Sequence, residues 1–295
     1  MPILYNKDRK NGLFYIPSGG LGPSVSADFA YSKSSFNQGE ADPTPTITGT
    51  AGGSFNADAG VVFVDTGSFN SSTGQIDLSA TTIDSHIITY TVDGVQSGQT
   101  VGVTAVPYTS TSSFTFDGIN DYFDLGNNFY QVGSNDVSIS IWIKPESQSG
   151  NKDIIAIGAN TGSRIRLQRR GNNFGAYINN SALSGSALTG STTITNGVWY
   201  HLMLIKSATT FTLYVDTTSE ASGTFTGTFD SKEGIIGAYF GGGSGYIKGN
   251  IDEVSIWNTA LSSDAITEIY NSGAPNDLTT LTNASNTNLK AWYKL

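Results

Sequence analysis

The segment VSISIWIKP, residues 137–145, indicates the fold class. Val137, Ile139, Ile141 and Ile143 fall on one face of this segment, and a period of two is the pattern of a strand with one face in the core. TFTLYVD (210–216) repeats this pattern. About a dozen short segments of the same kind lie between residues 113 and 295. They predict an all-β domain of two packed sheets, a jelly roll, in preference to a small barrel.

One segment of this region has helical spacing instead. LSSDAITEIYNSG (261–273) carries an apolar stripe at i, i+3 and i+4, formed by Ile266, Ile269 and Tyr270. Ser262 or Ser263 can cap the N-terminus, and Gly273 is expected to end the helix. We therefore expect a short helix that packs on the sandwich as a lid.

Residues 28–107 show shorter strands separated by turn signals. The predicted strands are GVVFVD (60–65), TGQIDLSA (73–80), SHIITYTVDG (85–94) and QTVGVTAV (99–106), the last two joined as a hairpin across DGVQSGQ. This spacing predicts a small immunoglobulin-like β-sandwich. It resembles the small immunoglobulin-like repeats of bacterial surface and phage virion proteins, although the Cys–Trp–Cys hallmark is absent. PYTSTS (107–112) is the predicted linker.

Residues 1–27 lack periodicity and are rich in Gly and Pro. Two apolar clusters interrupt them, and their main members are Leu4, Tyr5, Phe14 and Tyr15. One interpretation is a disordered terminus. The other, which the aromatic clusters favour, is an extended anchoring arm that orders on a partner or on another copy of the chain.

The composition excludes several classes of function. The chain has 295 residues, a formal net charge of −9, no Cys and only two His. The absence of Cys excludes a thiolate zinc site and a disulfide framework. With only two His, a His-based catalytic triad is close to excluded. The acidic balance argues against nucleic-acid binding and against anionic membrane surfaces. No apolar run predicts a membrane span, and the first residues do not resemble an export signal.

The second region resembles a known family through motifs that occur in a fixed order. These are SFTFDGINDYFDLG (113–126), VSISIWIKP (137–145), NGVWYHLMLIKSATTFTLYVD (196–216), GYIKGNIDEVSIWNTALSSDAITEIYNSG (245–273) and NLKAWYKL (288–295). Residues 112–295 are thereby similar to the laminin-G-like, concanavalin A-like jelly rolls. The resemblance departs at one turn, where the family usually has Asp-Gly and this chain has Asp216-Thr217.

The resemblance also implies a structural calcium ion, the one candidate cofactor. Family members often hold calcium where the first and penultimate strands meet, which suggests Asp117, Asp121 and Asp252 as ligands. Calcium prefers such hard oxygen donors. In the alternative interpretation these carboxylates accept backbone N–H bonds and fix their own loops.

The carboxylates do not form the paired pattern of a glycosidase. Glu residues are isolated or lie in turns, and Asp252 and Glu253 are expected to point to opposite faces of a strand. We therefore expect a protein without enzymatic activity.

Jelly rolls of this type commonly bind glycans. SRIRLQRRGNN (163–173) concentrates Arg in an acidic chain, and a Gly-rich segment near residue 243 carries tyrosines. The candidate glycan-binding residues are Arg164, Arg166, Arg169, Tyr239 and Tyr246. The alternative for the Arg strand is a solvated or oligomer-interface face, and the four Trp residues are expected to be core aromatics.

The whole layout is similar to virion surface proteins of marine bacteriophages. It predicts a capsid-decorating head fibre or tail-fibre component that is made in the host cytoplasm. Residues 1–27 would anchor this protein to capsid or tail proteins. We expect it to be a homo-oligomer that contacts host-surface glycans. Nucleic-acid binding and membrane insertion are not expected. The alternatives are a bacterial surface adhesin or glycan-binding module, and a concanavalin-like glycoside hydrolase.

Overall fold

The computed structural model describes residues 24–127, 130, 132–159, 162–179, 185–229 and 233–295. The chain divides between Pro107 and Tyr108 into two compact units. The predicted anchoring residues Leu4, Tyr5, Phe14 and Tyr15 lie outside the described residues. Among the described helices, none has the length and apolar character needed to cross a bilayer.

The first unit is built from short strands. They are β1 (Phe29–Ala30), β2 (Ser35–Asn37), β3 (Thr46–Ile47), β4 (Ser54–Ala57), β5 (Asn70–Ser71), β6 (Asp84–Val92) and β7 (Val95–Thr104). Five of them form one sheet in the order β2-β7-β6-β4-β5, and β1 pairs with β3. An aromatic cluster fills the core, with Phe29 packed edge-on against Phe55 at 5.3 Å. The immunoglobulin-like topology of this unit stays a prediction.

The β6–β7 hairpin is tighter than the sequence suggested. Val92 pairs with Val95, so the turn contains only Asp93 and Gly94. Both have positive φ, 48° and 81°, which is the geometry of a two-residue turn whose twist matches that of the strands.

Two predicted strands of this unit are wrong. Residues 60–65 and 73–80 pair only at one isolated bridge, between Phe63 and Ile76, where the N–H of Val64 bonds to the carbonyl of Gln75 and that of Asp77 to the carbonyl of Val62. The N–H of Phe63 instead bonds to the carbonyl of Ser68, and that of Gly67 to the carbonyl of Phe63. The apolar side chains are buried as the pattern required, but local turns satisfy the backbone.

The second unit contains thirteen of the described strands. They are β8 (Phe114–Asp117), β9 (Phe123–Asn127), β10 (Val137–Pro145), β11 (Asn151–Gly158), β12 (Arg164–Arg170), β13 (Asn173–Asn179), β14 (Gly185–Thr193), β15 (Tyr200–Ser207), β16 (Thr210–Val215), β17 (Thr218–Thr224), β18 (Glu233–Ile236), β19 (Lys248–Trp257) and β20 (Leu289–Tyr293). The seven-stranded sheet has the order β17-β16-β15-β10-β19-β20, with β8 also on β19. The six-stranded sheet has the order β14-β13-β12-β11-β18-β9.

The two sheets enclose one apolar core, which confirms the all-β jelly-roll prediction. Val137, Ile139, Ile141 and Ile143 of β10 are at most 1% exposed. They pack in the same cluster as Ile165 and Leu167 of β12 in the other sheet. Because side chains alternate along a strand, the residues between them lie on the outer face of each sheet, away from the core.

The predicted helix is present as α1 (Ser263–Tyr270). The Ser262 hydroxyl caps it by accepting a hydrogen bond from the N–H of Ala265 at 3.2 Å. The helix ends at Asn271, whose left-handed φ of 44° closes it two residues before the predicted Gly273. Ile266 and Ile269 of its apolar stripe pack on Met203, Ile205 and Trp257. The helix therefore covers part of the outer face of the seven-stranded sheet.

Candidate functional site

A row of polar side chains crosses the outer face of the six-stranded sheet. On β12, Ile165 and Leu167 face the core, so alternation puts Arg164, Arg166 and Gln168 on the outer face. The expectation that Arg164 and Arg166 share one strand face is confirmed by this register. We call this surface the arginine face, and Arg166 lies at its centre.

Arg166 is held between two tyrosine rings. Its guanidinium carbon lies 4.9 Å from the ring centroid of Tyr177 and 4.8 Å from that of Tyr239. Its Nε lies 3.5 Å from Oδ1 of Asp153. The two terminal nitrogens donate no hydrogen bond to any residue that the structure describes. The side chain is thus fixed in position while its hydrogen-bonding end stays available.

The buried carboxylate of Asp153 contacts both Arg166 and Gln168. It is 3% exposed and accepts a hydrogen bond from Nε2 of Gln168 at 2.8 Å. Burial raises the pKa of the Asp153 carboxyl, and the positive charge of Arg166 acts in the opposite direction. Asp153 orients both neighbouring side chains, since it accepts a hydrogen bond from Gln168 and forms an ion pair with Arg166.

A glycine-rich loop brings Tyr239 onto the arginine face. The N–H of Tyr239 bonds to the carbonyl of Ser244 at 2.9 Å. Gly245 has a φ of 70°, and a Cβ there would lie 2.6 Å from Oδ2 of Asp153, so the loop approaches the sheet only because this residue has no side chain. A depression of about 290 Å³ results, lined by Asn151, Asp153, Arg166, Gln168, Tyr239, Ser244 and Gly245.

Two candidate residues are not part of the arginine face. Arg169 is 3% exposed and lies on the opposite side of β12, where Nη1 donates to the carbonyl of Glu146 at 2.6 Å and Nε to that of Gly171 at 2.9 Å. Tyr246 donates its hydroxyl to the carbonyl of Gly242 and so fixes the loop that carries Tyr239. Both residues stabilise the chain segments around the depression, but neither of them lines it.

The three carboxylates predicted to bind calcium are not brought together at one site, because Asp252 lies apart from Asp117 and Asp121. Asp117 of β8 lies opposite Lys248 of β19. Asp252 lies four residues beyond Lys248 on β19, which is about 13 Å along the strand. Asp117 accepts the N–H of Ile119 at 2.7 Å, and Asp121 accepts the N–H of Asp117 at 2.9 Å. Within the described ranges no three Asp, Glu or His side chains are grouped to hold a metal ion. These residues do not fit a shared calcium site.

Asp252 and Glu253 lie on the same face of β19, contrary to the expectation from strand alternation. The register with β10 shifts between Ser140 and Trp142, and Glu253 has a φ of 51°. This is a β-bulge, in which one extra residue stands opposite its partner strand. Glu253 accepts hydrogen bonds from the Tyr108 hydroxyl and from the Trp292 indole. Burial raises the pKa of its carboxyl.

Sequence reasoning missed three members of the arginine face: Tyr177, Asp153 and Gln168. Tyr177 lies directly opposite Arg166 in the register of β12 and β13. The spacing within each strand contains no information on which residues of two strands face each other, so the ring that packs on Arg166 could not be identified from the sequence alone.

The comparisons with known proteins agree with this architecture. Residues 116–267 match the family model of the concanavalin A-like lectin/glucanases superfamily. A candidate carbohydrate binding protein from Bacteroides ovatus has a similar structure, with a TM-score of 0.57 and 13% identity, covering 90% of this chain and 88% of that one.

Two further solved structures show a weaker likeness. Domain 4 of an extracellular arabinanase from Geobacillus stearothermophilus, in complex with arabinotriose, has a TM-score of 0.43 and 18% identity, covering 62% of this chain and 80% of that one. A SAP-like pentraxin from Limulus polyphemus has a TM-score of 0.42 and 14% identity, covering 52% and 79%.

No curated protein sequence matches the chain. The family match covers more than half of the 295 residues and lies within the two-sheet unit. The fold is thus that of the lectin-type jelly rolls, and the chain belongs to the concanavalin A-like lectin/glucanases superfamily.

Proposed function

We propose that the protein is a non-enzymatic carbohydrate-binding protein that contacts acidic glycans through the arginine face. One observation carries the proposal: the guanidinium of Arg166 is clamped between Tyr177 and Tyr239 while its terminal nitrogens stay unbonded among the described residues. A rigid cation with a free planar edge matches a carboxylate or sulfate in a two-point contact.

The surroundings of Arg166 suit a sugar. Tyr239 borders the depression and offers a ring for the apolar side of a pyranose. Asn151, Gln168 and Ser244 add hydrogen-bonding groups at its edge. Arg164 extends the positive charge along the face, with its guanidinium 5.8 Å from the Tyr177 ring. In a chain with a net charge of −9, this local positive potential favours an anionic ligand.

The carboxylates support a role without catalysis. Both oxygens of Glu253 accept hydrogen bonds, from Tyr108 and Trp292. Glu268 accepts the N–H groups of Thr282 and Asn283. Glycosidases need two carboxyl groups that face each other across a cleft and are available to acid–base chemistry. Glu253 and Glu268 hold structural hydrogen bonds instead, which favours a binding protein over a glycoside hydrolase.

We further propose that the protein is displayed on a bacteriophage particle, anchored to capsid or tail proteins by residues 1–27 and assembled as a homo-oligomer. The support is the sequence layout and its low charged fraction of 13%. Protein sequencing of purified particles by mass spectrometry tests this placement, and absence of the chain would favour the bacterial surface adhesin instead. Deleting residues 1–23, which keeps Ser26 and the buried Ala27 of the first unit, should leave a soluble, folded protein that no longer attaches to particles.

A glycan array tests the binding function. We expect the wild type to bind carboxylated or sulfated glycans, and Arg166→Ala to weaken this binding by about 10- to 100-fold, because a charge-assisted contact contributes about 1.5–3 kcal/mol. Arg166→Lys should retain part of the affinity, and Lys33→Ala, which removes one charge in the first unit, should change nothing. Unchanged binding by Arg166→Ala would refute the proposal.

A further inference from the structure

A second cleft lies on the other sheet, beside the end of α1. It has a volume of about 320 Å³ and is bounded by Trp142, Lys144, Trp199, Asp252, Pro275 and the hydroxyl-rich segment 110–113. It lies on the outer face of the seven-stranded sheet, whereas the arginine face belongs to the six-stranded sheet. The size is at the lower end of ligand-binding pockets, about 300–1,000 Å³.

Two indoles give the cleft its apolar surface. Trp199 is 36% exposed, unlike the buried Trp142 and Trp257. It precedes β15, which begins at Tyr200, and because Tyr200 and Leu202 face the core, alternation places Trp199 on the outer face of the sheet. Trp142 forms an inner wall, and its indole stacks on the ring of Tyr270 at 5.8 Å with an angle of 7°. One indole is therefore exposed to a ligand and the other is held rigidly behind it.

A cation stands over the exposed indole. Nζ of Lys144 lies 5.4 Å from the ring centroid of Trp199. No described carboxylate forms an ion pair with it. A lysine that borders a cleft without a carboxylate partner is suited to bind an anionic group of a ligand.

A buried carboxylate faces the cleft from the opposite strand. Asp252 is 4% exposed. Its Oδ1 accepts the N–H of Glu253 at 2.8 Å and that of Leu295 at 3.0 Å, and its Oδ2 accepts the hydroxyl of Ser110. These bonds fix the orientation of the carboxylate, and Oδ2 retains capacity for another donor. The bulge at Glu253 adds one residue to β19, and this places the Asp252 carboxylate on the outer face of the sheet.

We infer that this cleft is a second carbohydrate site, for a pyranose that carries a carboxylate, such as a uronic acid. The apolar side of the sugar ring stacks on Trp199, and the sugar carboxylate pairs with Lys144. Sugar hydroxyls donate to Asp252 and exchange hydrogen bonds with Ser110 and Ser112. The inference is independent of the arginine face, because none of that face's residues lines this cleft.

Tryptophan fluorescence gives a readout that is specific for the cleft. The probes are tetramers of galacturonic acid and of mannuronic acid, each compared with its fully methyl-esterified form. We expect at least one acidic tetramer to quench the wild-type emission, and its ester to require at least a tenfold higher concentration. Lys144→Ala should remove this preference for the acid, and Lys248→Ala, a matched loss of charge at an exposed site, should retain it.

Two further variants separate this site from the arginine face. Trp199→Ala should abolish the quenching, whereas Trp199→Phe, which keeps an aromatic ring, should keep part of the affinity when binding is measured by calorimetry. Arg166→Ala should leave the quenching unchanged even if acidic glycans no longer bind the arginine face. Unfolding curves identify any variant that fails to fold. The inference is overturned if neither acidic tetramer quenches the wild type, or if Trp199→Ala and Lys144→Ala both respond as the wild type does.

Discussion

The imidazole of His201 lies against the indole of Trp142, with ring centroids 5.2 Å apart and ring planes inclined by 37°. Its Nε2 lies 2.7 Å from the Ser140 hydroxyl oxygen. Its Nδ1 has no hydrogen-bond partner among the described residues. A charged imidazole would have no counter-ion here, and complete burial lowers the pKa of His201 to about 3.

The stability of the jelly-roll unit should therefore fall in mild acid. Below pH 6.5 the unfolded chain binds a proton at His201, and the folded chain does not until the pH nears 3, so protonation favours unfolding across this range. Replacing the ring by His201→Phe should remove this effect. The stability difference between wild type and variant should change by about 2.5 kcal/mol between pH 7 and pH 4.5.

Urea unfolding at the two pH values measures this change. Wild type and variant share the same acidic groups, so the effect of their titration cancels in the difference between the two free energies of unfolding. One of these groups is Asp216, which accepts the N–H of His201 at 2.8 Å. A difference that stays constant with pH would show that His201 becomes protonated in the folded protein as readily as in the unfolded one.

The turn between β16 and β17 should be stabilised by a glycine. Val215 pairs with Thr218, so Asp216 and Thr217 form a two-residue turn with φ values of 45° and 73°. A β-branched residue in this region is strained by about 1–2 kcal/mol. We expect Thr217→Gly to raise the free energy of unfolding by about 0.5–1 kcal/mol after the entropy cost of glycine.

Thermal unfolding checks this prediction, with Thr218→Gly as the matched control. Thr218 lies in β17, so its replacement should lower the stability, because glycine weakens a strand. Equal effects of the two substitutions would contradict the account of turn strain.

The bulged Glu253 should contribute strongly to stability. Glu253→Ala leaves the Trp292 indole N–H and the Tyr108 hydroxyl without their acceptor. Such a loss costs about 2–4 kcal/mol, whereas Tyr108→Phe, which removes one bond, should cost about 1 kcal/mol. Denaturant unfolding distinguishes the two values, and a cost for Glu253→Ala no larger than that for Tyr108→Phe would refute the role of this cluster.

Metal chelation should leave the melting temperature unchanged. Asp117 and Asp121 bond within their own turn, and Asp252 lies elsewhere on β19. An ion that binds only the folded state would raise the melting temperature, and EDTA would then lower it. A fall of several degrees on adding EDTA, reversed by calcium, would show that a metal site exists.

The features predicted best from the sequence are those that depend on local periodicity. The alternation in β10 identifies its buried face, the Ser262 cap fixes the start of α1, and strand parity places Arg164 and Arg166 together. Each follows from the geometry of one element, which is encoded in neighbouring residues.

The features that could not be predicted depend on pairs of elements. The partner ring of Arg166 depends on the register of β12 with β13, and the common face of Asp252 and Glu253 depends on a bulge. Trp199 is expected in the core, but the face of β15 that packs on the other sheet carries Tyr200 and Leu202, so alternation leaves the Trp199 indole on the outer face and partly exposed. Because side chains alternate along β12, Arg169 lies on its inner side, where it donates hydrogen bonds to backbone carbonyls.

A crystal structure with a bound acidic oligosaccharide would show whether the arginine face binds glycans. We expect a carboxylate or sulfate within about 3 Å of the terminal nitrogens of Arg166, with a sugar ring against Tyr239. A bound acidic glycan that leaves Arg166 uncontacted, at the tryptophan cleft alone or elsewhere on the chain, would contradict the proposed function.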